Sequence, residues 1–131
     1  MRKNKVSGRL DQRGFTLIEL IMVIVILGIL AVVAIPKYQN MKTDAAIAQA
    51  EGVYGAAQSA AAINFSNRII DSTRGSAITD GATLLAALDD PPAGWSASGA
   101  TITATISGTA YTITVGTGET ASSKAKLTKS W

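Results

Sequence analysis

Apolar residues form one continuous block near the N-terminus. Residues 15–35 contain a single charged side chain, Glu19, and residues 20–35 contain none. At the helical rise of ~1.5 Å per residue this block extends roughly 31 Å, about the thickness of the hydrocarbon core of a bilayer. Many of its residues are β-branched, but the block is too long for one strand, and only a helix satisfies its own backbone in lipid. The pattern therefore predicts a membrane-spanning helix.

Beyond this block the spacing changes to that of an amphipathic helix. Gly28 lies inside the block and Pro36 follows it, and we expect these two residues to kink the helix or to allow close packing. Apolar positions then recur at steps of three and four, which predicts one packed stripe. The stripe consists of Ile47, Ala50, Tyr54, Ala57, Ala61 and Phe65. Because most of it is alanine, its packing partner must approach closely, and we expect the helix to end between residues 64 and 70.

The pattern of apolar and polar residues in 71–131 differs from that of the long helix and predicts a small head. Asp80 can cap a short helix that runs to residue 88. Two alternating segments rich in Thr and Ile, residues 100–106 and 110–115, flank a short turn and predict a hairpin. Residues 124–129 would add a third strand at the sheet edge, where their lysines oppose pairing with other chains. The expected fold is α+β, with a long N-terminal helix whose hydrophobic half protrudes and whose second half packs on a small antiparallel sheet.

The net charge of +3 conceals an asymmetry along the chain. Residues 1–14 contain five Lys or Arg and one Asp, a net charge of +4, so residues 15–131 sum to −1. A basic segment ahead of an apolar helix is typical of an orientation signal that keeps the N-terminus in the cytoplasm. The basic residues therefore give little support for nucleic-acid binding, and we expect no specific nucleic-acid partner.

Composition argues against catalysis and against a metal site. The chain contains no His and no Cys, so the commonest general base, thiolate ligands and disulfides are all missing. Ser and Thr are plentiful, but no pattern supplies an activating base and no glycine-rich phosphate loop occurs. Asp89 and Asp90 precede two prolines and are typical of a solvated loop rather than a calcium site. We expect no enzymatic activity, no catalytic residue, no metal and no other cofactor.

The junction around residue 14 resembles a known processing signal. The motif Gly-Phe-Thr-Leu-Ile-Glu at residues 14–19 follows Arg13 and precedes the apolar block and Pro36. It is similar to the class III leader and N-methylation site of type IV prepilins and type II secretion pseudopilins. The resemblance covers about residues 13–50, while the C-terminal half is similar only in its order of helix and antiparallel sheet. The chain departs from many pilins in lacking a C-terminal cysteine pair.

The resemblance implies roles for particular residues. Residues 1–14 would form a leader that a prepilin peptidase removes after Gly14 at the cytoplasmic side of the inner membrane. Phe15 would become the mature N-terminus, and the same enzyme would methylate its amine. Glu19 would guide assembly by the inner-membrane pilus machinery. The mature chain would then consist of a hydrophobic helix (15–36), an amphipathic half of the same helix (37–70) and the head.

Glu19 also has a physical reason to pair with another chain. A carboxylate inside an apolar span costs about 2–4 kcal/mol if it is buried without a partner. Cleavage before Phe15 creates a new α-amine, and in a helical stack Glu19 of one subunit can meet the Phe15 amine of its neighbour. The apolar helix would thus serve first as a single-pass anchor in membrane lipid and later as the core of a filament.

The expected function is structural: a type IV pilus subunit that polymerises with copies of itself into an extracellular filament. Two alternatives remain open at the level of sequence. One is a type II secretion pseudopilin, which would form a short periplasmic pseudopilus and would be required for protein export. The other belongs to a different class, a monomeric membrane-tethered module whose head binds an external ligand without polymerisation or leader cleavage.

Overall fold

The computed structural model describes residues 14–131, and its contacts divide the chain into two compact units. The first unit ends at Gln39 and the second comprises Asn40–Trp131. In chain order the elements are helices α1 (Leu17–Ile70) and α2 (Gly81–Ala86), followed by strands β1 (Ser96–Ser98), β2 (Thr101–Ile106), β3 (Thr109–Thr117) and β4 (Lys126–Lys129). A long N-terminal helix and a small antiparallel sheet confirm the expected α+β, pilin-like fold class.

The part of α1 in the first unit consists mainly of large aliphatic residues, and all of residues 17–39 are exposed. The helix begins after Thr16, whose hydroxyl oxygen accepts a hydrogen bond from the Glu19 backbone amide at 3.3 Å. This is the arrangement of an N-terminal cap, which satisfies one of the free amides of the first turn. The α-helix continues through Pro36 without interruption.

In the second unit, α1 contributes four buried alanines to the core. Ala46 is 3 % exposed, and Ala50, Ala57 and Ala61 are fully buried. The predicted stripe was wrong at its first position, because Ile47 is exposed and Ala46 takes its place. One residue corresponds to a rotation of about 100° around the helix, and the small side chain of alanine allows the closest approach to the sheet. The other buried core residues are Ile78 and Leu84 near α2, Trp95 before β1, and Ile102, Ala104, Tyr111, Ile113, Val115, Ala125 and Leu127 on or next to the sheet.

The sheet is antiparallel with the strands in chain order, β1-β2-β3-β4. Ser107 and Gly108 form a two-residue turn between β2 and β3, with φ values of 52° and 85°. Positive φ at both positions is the mark of a type I′ turn, whose twist matches that of a hairpin. Apolar side chains alternate with threonines along β2 and β3, and the apolar set is the buried one. The predicted hairpin is thus confirmed, while the exposed Ser-Ala-Ser strand β1 was not predicted.

Helix α2 begins with a reciprocal cap, as expected for Asp80. The Asp80 carboxylate accepts a hydrogen bond from the Thr83 amide at 2.8 Å, and the Thr83 hydroxyl accepts one from the Asp80 amide at 3.1 Å. The hydrogen bond from the Thr83 amide, and after it the one that the Thr83 hydroxyl donates to the same carboxylate, lower the pKa of Asp80. Gly81 allows this helix end to touch β2, because a Cβ at that position would lie 2.1 Å from the Thr101 carbonyl oxygen.

Candidate functional site

The residues at the expected cleavage point are accessible in this structure. Gly14, Phe15 and Thr16 are not helical and are exposed, and the Phe15 side chain is 79 % exposed. They lie immediately before α1, whose own backbone hydrogen bonds would hinder a protease. Residues 1–13 of the expected leader lie outside the described residues. A peptidase could therefore reach the Gly14–Phe15 bond without unfolding any described element.

Glu19 lies in the first turn of α1, on the surface of this chain. The Thr16 hydroxyl donates a hydrogen bond of 3.4 Å to its carboxylate, in addition to accepting one from the Glu19 amide. A negative charge is favourable at this end of a helix because the free amides there carry a partial positive charge. Within residues 14–131 no cation forms an ion pair with Glu19.

Among residues 14–131, nothing packs against the position of Gly28. A Cβ built at this position would meet nothing within 4 Å, and the same is true of Gly52 and Gly55 farther along α1. These glycines each lower helix propensity by about 1 kcal/mol relative to alanine, and no contact within the described chain offsets that cost. The roles expected for Gly28 and Pro36 in packing or kinking remain predictions.

The first part of α1 exposes an unusually large apolar surface. Among the described residues, α1 is the one helix that is long and apolar enough to cross a membrane by length and composition, and none of its most apolar window is buried. The exposed large side chains include Leu17, Ile18, Leu20, Met22, Ile24, Leu27, Ile29, Leu30, Val32 and Val33. Contiguous apolar patches of this extent are rare on monomeric soluble proteins and mark contacts with lipid or protein.

A buried carboxylate joins the head to α1. The Glu119 side chain is fully buried in the loop after β3 and forms an ion pair with Arg68. It also accepts a hydrogen bond from the Asn64 side chain at 2.9 Å, and the Ile78 amide lies 3.5 Å from the same oxygen. The Glu119 amide in turn donates to the Ile78 carbonyl at 2.7 Å. One side chain therefore connects α1, the loop before α2 and the loop after β3.

A second cluster joins the end of the chain to α1. Lys129 forms an ion pair with Glu51, and the Trp131 indole donates a hydrogen bond of 3.2 Å to the same carboxylate. The bond from Lys129 is the main cause of a lowered pKa for Glu51. The Trp131 ring meets the edges of Tyr54 and Tyr111 at centroid distances of 6.3 and 5.5 Å, within the range of favourable T-shaped contacts.

Sequence reasoning missed both clusters because they depend on pairs of residues far apart in the chain. Glu119 and Arg68 are 51 positions apart, and Lys129 and Glu51 are 78 apart. An isolated glutamate between Gly118 and Thr120 carries no local sign that it will be buried. Within the described part of the chain, no group of three or more His, Cys, Asp or Glu residues is arranged to hold a metal ion.

The fold and the apolar helix define a class of protein: one with a membrane-competent N-terminal helix and a small α+β head. Comparison with known proteins supports the particular family. Residues 9–35 match the family model described as the prokaryotic N-terminal methylation motif. The N-terminal segment of this chain is thus similar to that of type IV pilins and carries the N-methylation motif, as the resemblance predicted.

Curated relatives share the same segment. The chain is 69 % identical over 29 residues to a type IV major fimbrial protein, FimA, of Dichelobacter nodosus, a match that covers 22 % of this chain and 19 % of the relative. It is 56 % identical over 39 residues to the type IV major pilin protein PilE1 of Neisseria gonorrhoeae, covering 30 % and 24 %.

A third relative, a fimbrial protein of Pseudomonas aeruginosa, is 46 % identical over 50 residues, covering 38 % of this chain and 32 % of the relative. The matches therefore span about a fifth to a third of the length of these relatives. No solved structure matches the chain.

Proposed function

We propose that this chain is a structural subunit of a type IV pilus rather than an enzyme. The observation that carries the proposal is an apolar helix, exposed along residues 17–35, that lies within the match to the methylation motif and contains one carboxylate, Glu19. Such a helix needs either lipid or other helices around it, since water is an unfavourable solvent for so much aliphatic surface. The head, by contrast, buries its own apolar side chains.

Leader processing at the Gly14–Phe15 bond is the first step of the proposed function. The bond is exposed and lies outside the helix, which suits cleavage by a prepilin peptidase at the cytoplasmic side of the inner membrane. The enzyme would then methylate the new amine of Phe15. The mature chain would have 117 of the 131 residues. The basic charge of residues 1–14 favours a cytoplasmic N-terminus before cleavage.

The hydrophobic helix, residues 15–36, would serve in two environments in turn. In the membrane it anchors the monomer, and its length matches the hydrocarbon core. In the filament the same side chains would pack against helices of neighbouring subunits, where burial contributes ~25 cal/mol per Å² of apolar surface removed from water. Gly28 would allow two helices to approach closely, which gives a reason for a glycine that no contact within this chain requires.

Glu19 would fix the position of each subunit along the filament. Its carboxylate has no ion pair within the described chain, and the Phe15 amine of a neighbour is the cation that processing supplies. Pairing the two would offset part of the cost of placing either charge in an apolar core. Residues 37–70 and the head, residues 71–131, would form the outer part of the filament.

The relatives named above are described as pilus or fimbrial subunits, which favours an extracellular pilus over the periplasmic pseudopilus of type II secretion. The inner-membrane assembly machinery would be the partner that extracts the subunit from lipid. Long surface filaments under native expression, together with normal protein export from a strain that lacks this chain, would distinguish the pilus from the pseudopilus.

The experiment compares Glu19→Ala with Asp44→Ala, which removes a carboxylate from the same helix beyond the hydrophobic segment. Both variants should be inserted in the membrane and processed to the 117-residue chain, as measured by fractionation and intact mass. Filaments sheared from the cell surface and counted by negative-stain microscopy should fall at least tenfold for Glu19→Ala, since loss of about 1.4 kcal/mol per contact already changes a binding constant tenfold. Asp44→Ala should retain wild-type filament yield.

Two results would contradict the proposal. One is a normal yield of filaments from Glu19→Ala. The other is a wild-type protein that keeps residues 1–14, or forms no polymer, in a host with an active prepilin peptidase, as expected for a monomeric tethered module.

A further inference from the structure

Three ion pairs join charged side chains of the head and the adjoining part of α1: Arg68–Glu119, Arg74–Asp71 and Lys129–Glu51. Asp89, Asp90, Lys124 and Lys126 differ, because all four are exposed and none of their side chains forms an ion pair or hydrogen bond with any part of residues 14–131. They form two pairs of like charge, each close together in sequence.

The two aspartates border an open groove of about 330 Å³ beside α1, which we call the acidic groove. Its other wall and its floor consist of the helix residues Ala56, Ser59, Ala60 and Ile63. These side chains are small or apolar, and Ile63 is 62 % exposed although it lies next to the head. The groove is therefore lined mainly by small or apolar side chains together with two aspartates.

The two lysines lie at the opposite side of the sheet, a surface that we call the basic edge. Lys126 begins β4, the last strand of the order β1-β2-β3-β4, and Lys124 lies in the loop just before it. The acidic groove adjoins the connection between α2 and β1, the first strand. Strands lie ≈ 4.7–4.9 Å apart, so the outer strands of this sheet are separated by roughly 14 Å, too far for the two charge pairs to meet within one chain.

The two surfaces carry opposite charges. A lysine carries a four-carbon apolar stem and a terminal ammonium group, and such side chains lay the stem along apolar surface while the ammonium stays near polar groups. Alanines and Ile63 can cover the stem, and Asp89 and Asp90 can accept hydrogen bonds from the ammonium. Two adjacent carboxylates also repel each other, and a cation between them relieves that repulsion.

We infer that the basic edge of one copy docks in the acidic groove of a second copy. This inference rests on the proposed filament and adds a contact between heads to the contact between N-terminal helices. Because groove and edge are different surfaces, the contact is heterologous: each docked copy still presents one free groove and one free edge. A heterologous contact that does not close on itself propagates as an open helical assembly, which is the symmetry that a filament requires.

Charge reversal tests the inference in the full-length chain. Asp89→Lys with Asp90→Lys, or Lys124→Glu with Lys126→Glu, places like charges opposite each other at every contact. Each double variant should lower the yield of sheared filaments about tenfold or more, whereas the variant with all four changes should return to within about twofold of wild type. The neutral pair Asp89→Asn with Asp90→Asn keeps side-chain volume and should make filament yield insensitive to added salt.

Lys126→Glu has a matched control in Arg74→Glu, which changes the net charge by the same amount outside both surfaces. Arg74→Glu should retain wild-type yield, whereas Lys126→Glu should lower it. At about 1 M NaCl, where the Debye length is about 3 Å, wild type and Lys126→Glu should converge. Equal loss in the two variants would show a general effect of net charge and would overturn the inference.

Cysteine cross-linking identifies the occupant of the groove directly, because the chain has no native cysteine. Filaments carrying both Asp90→Cys and Lys126→Cys should give a ladder of multimers after treatment with a short bismaleimide, and either single variant should give none. Absence of the ladder in filaments that form normally, or failure of the four-site variant to recover yield, overturns the docking contact alone. Absence of any wild-type filament overturns the proposed function as well.

Discussion

The two parts of α1 differ in side-chain size and in burial, although they belong to one helix. Up to Gln39 the helix consists largely of Leu, Ile and Val, and all of those side chains are exposed. From Asn40 onward its inward face consists of alanines that are fully or almost fully buried. The part with the larger apolar side chains is thus exposed, and the part with the smallest is packed.

The difference relates side-chain size to the kind of surface against which each part of α1 can pack. Alanine side chains let the helix backbone lie close to the sheet of the same chain. The larger apolar side chains of this core, such as Ile102 and Ile113, come from the sheet. Large aliphatic side chains suit a neighbour that is fluid or interchangeable, such as lipid or another copy of the helix, because they bury more area per residue. The ion pairs from the head to α1 lie in its packed part, where Glu119 pairs with Arg68 and Lys129 pairs with Glu51.

The largest expected effect is the loss of the Glu119 carboxylate. Glu119→Ala should destabilise the head by about 3 kcal/mol, the low end of the range for breaking a buried ion pair, because the Arg68 side chain is 25 % exposed and keeps some hydration. Chemical unfolding of the mature chain in mild detergent, followed by the fluorescence of the buried Trp95, measures the change.

The control for Glu119→Ala is Arg74→Ala, which breaks the exposed ion pair with Asp71. Exposed pairs contribute about 0–1 kcal/mol, so this variant should be close to wild type. If Glu119→Ala lowered the free energy of unfolding as little as Arg74→Ala, the packed part of α1 would not depend on its polar contacts. That side of the contrast between the two parts of α1 would then be refuted.

The same enlargement at three positions of α1 sharpens the comparison directly. Ala57→Leu inserts three carbons into a fully buried site against the sheet and should cost about 1–3 kcal/mol of head stability. Ala48→Leu, on the exposed side of the packed part, and Ala31→Leu, in the hydrophobic part, should change it by less than about 0.5 kcal/mol. Unfolding curves for the three variants would contradict this account if Ala31→Leu destabilised the head as strongly as Ala57→Leu.

The smallest expected effect is a pH dependence from Glu51. Its pKa in the folded chain is lowered, chiefly by the hydrogen bond from Lys129, so the ionised form is the one that folding favours. The contribution is therefore present above the ordinary pKa of a glutamate and is lost as the pH falls through the lower, folded value.

Melting temperatures of wild type and Glu51→Gln test this sign. The melting temperature of the wild type should be slightly higher near neutral pH. The difference between the two melting temperatures should narrow as the pH is lowered to about 3. A difference in melting temperature that widens in acid would show that Lys129 does not stabilise the ionised carboxylate of Glu51.

Local patterns were sufficient for the long helix, the Asp80 cap and the β2–β3 hairpin, because each depends on residues within a few positions of one another. They were insufficient for β1, whose Ser-Ala-Ser sequence has no strand signal and pairs only because β2 offers a free edge. They also failed at Ile47, since the rotation of α1 depends on where the sheet approaches it.

The sequence by itself predicted the segment of the chain that is exposed to its surroundings. This segment comprises the Gly14–Phe15 junction, the single carboxylate Glu19 and a helix about as long as a bilayer is thick. A bilayer or a neighbouring helix responds only to local composition and length, so no knowledge of the rest of the fold is needed. Tertiary structure alone decided the burial of Glu119, the contacts of Trp131 and Lys129 with α1, and the placement of Asp89 and Lys126 on opposite sides of the head. Those features arise from residues tens of positions apart, and their energies depend on distances and dehydration that exist only once the chain has folded.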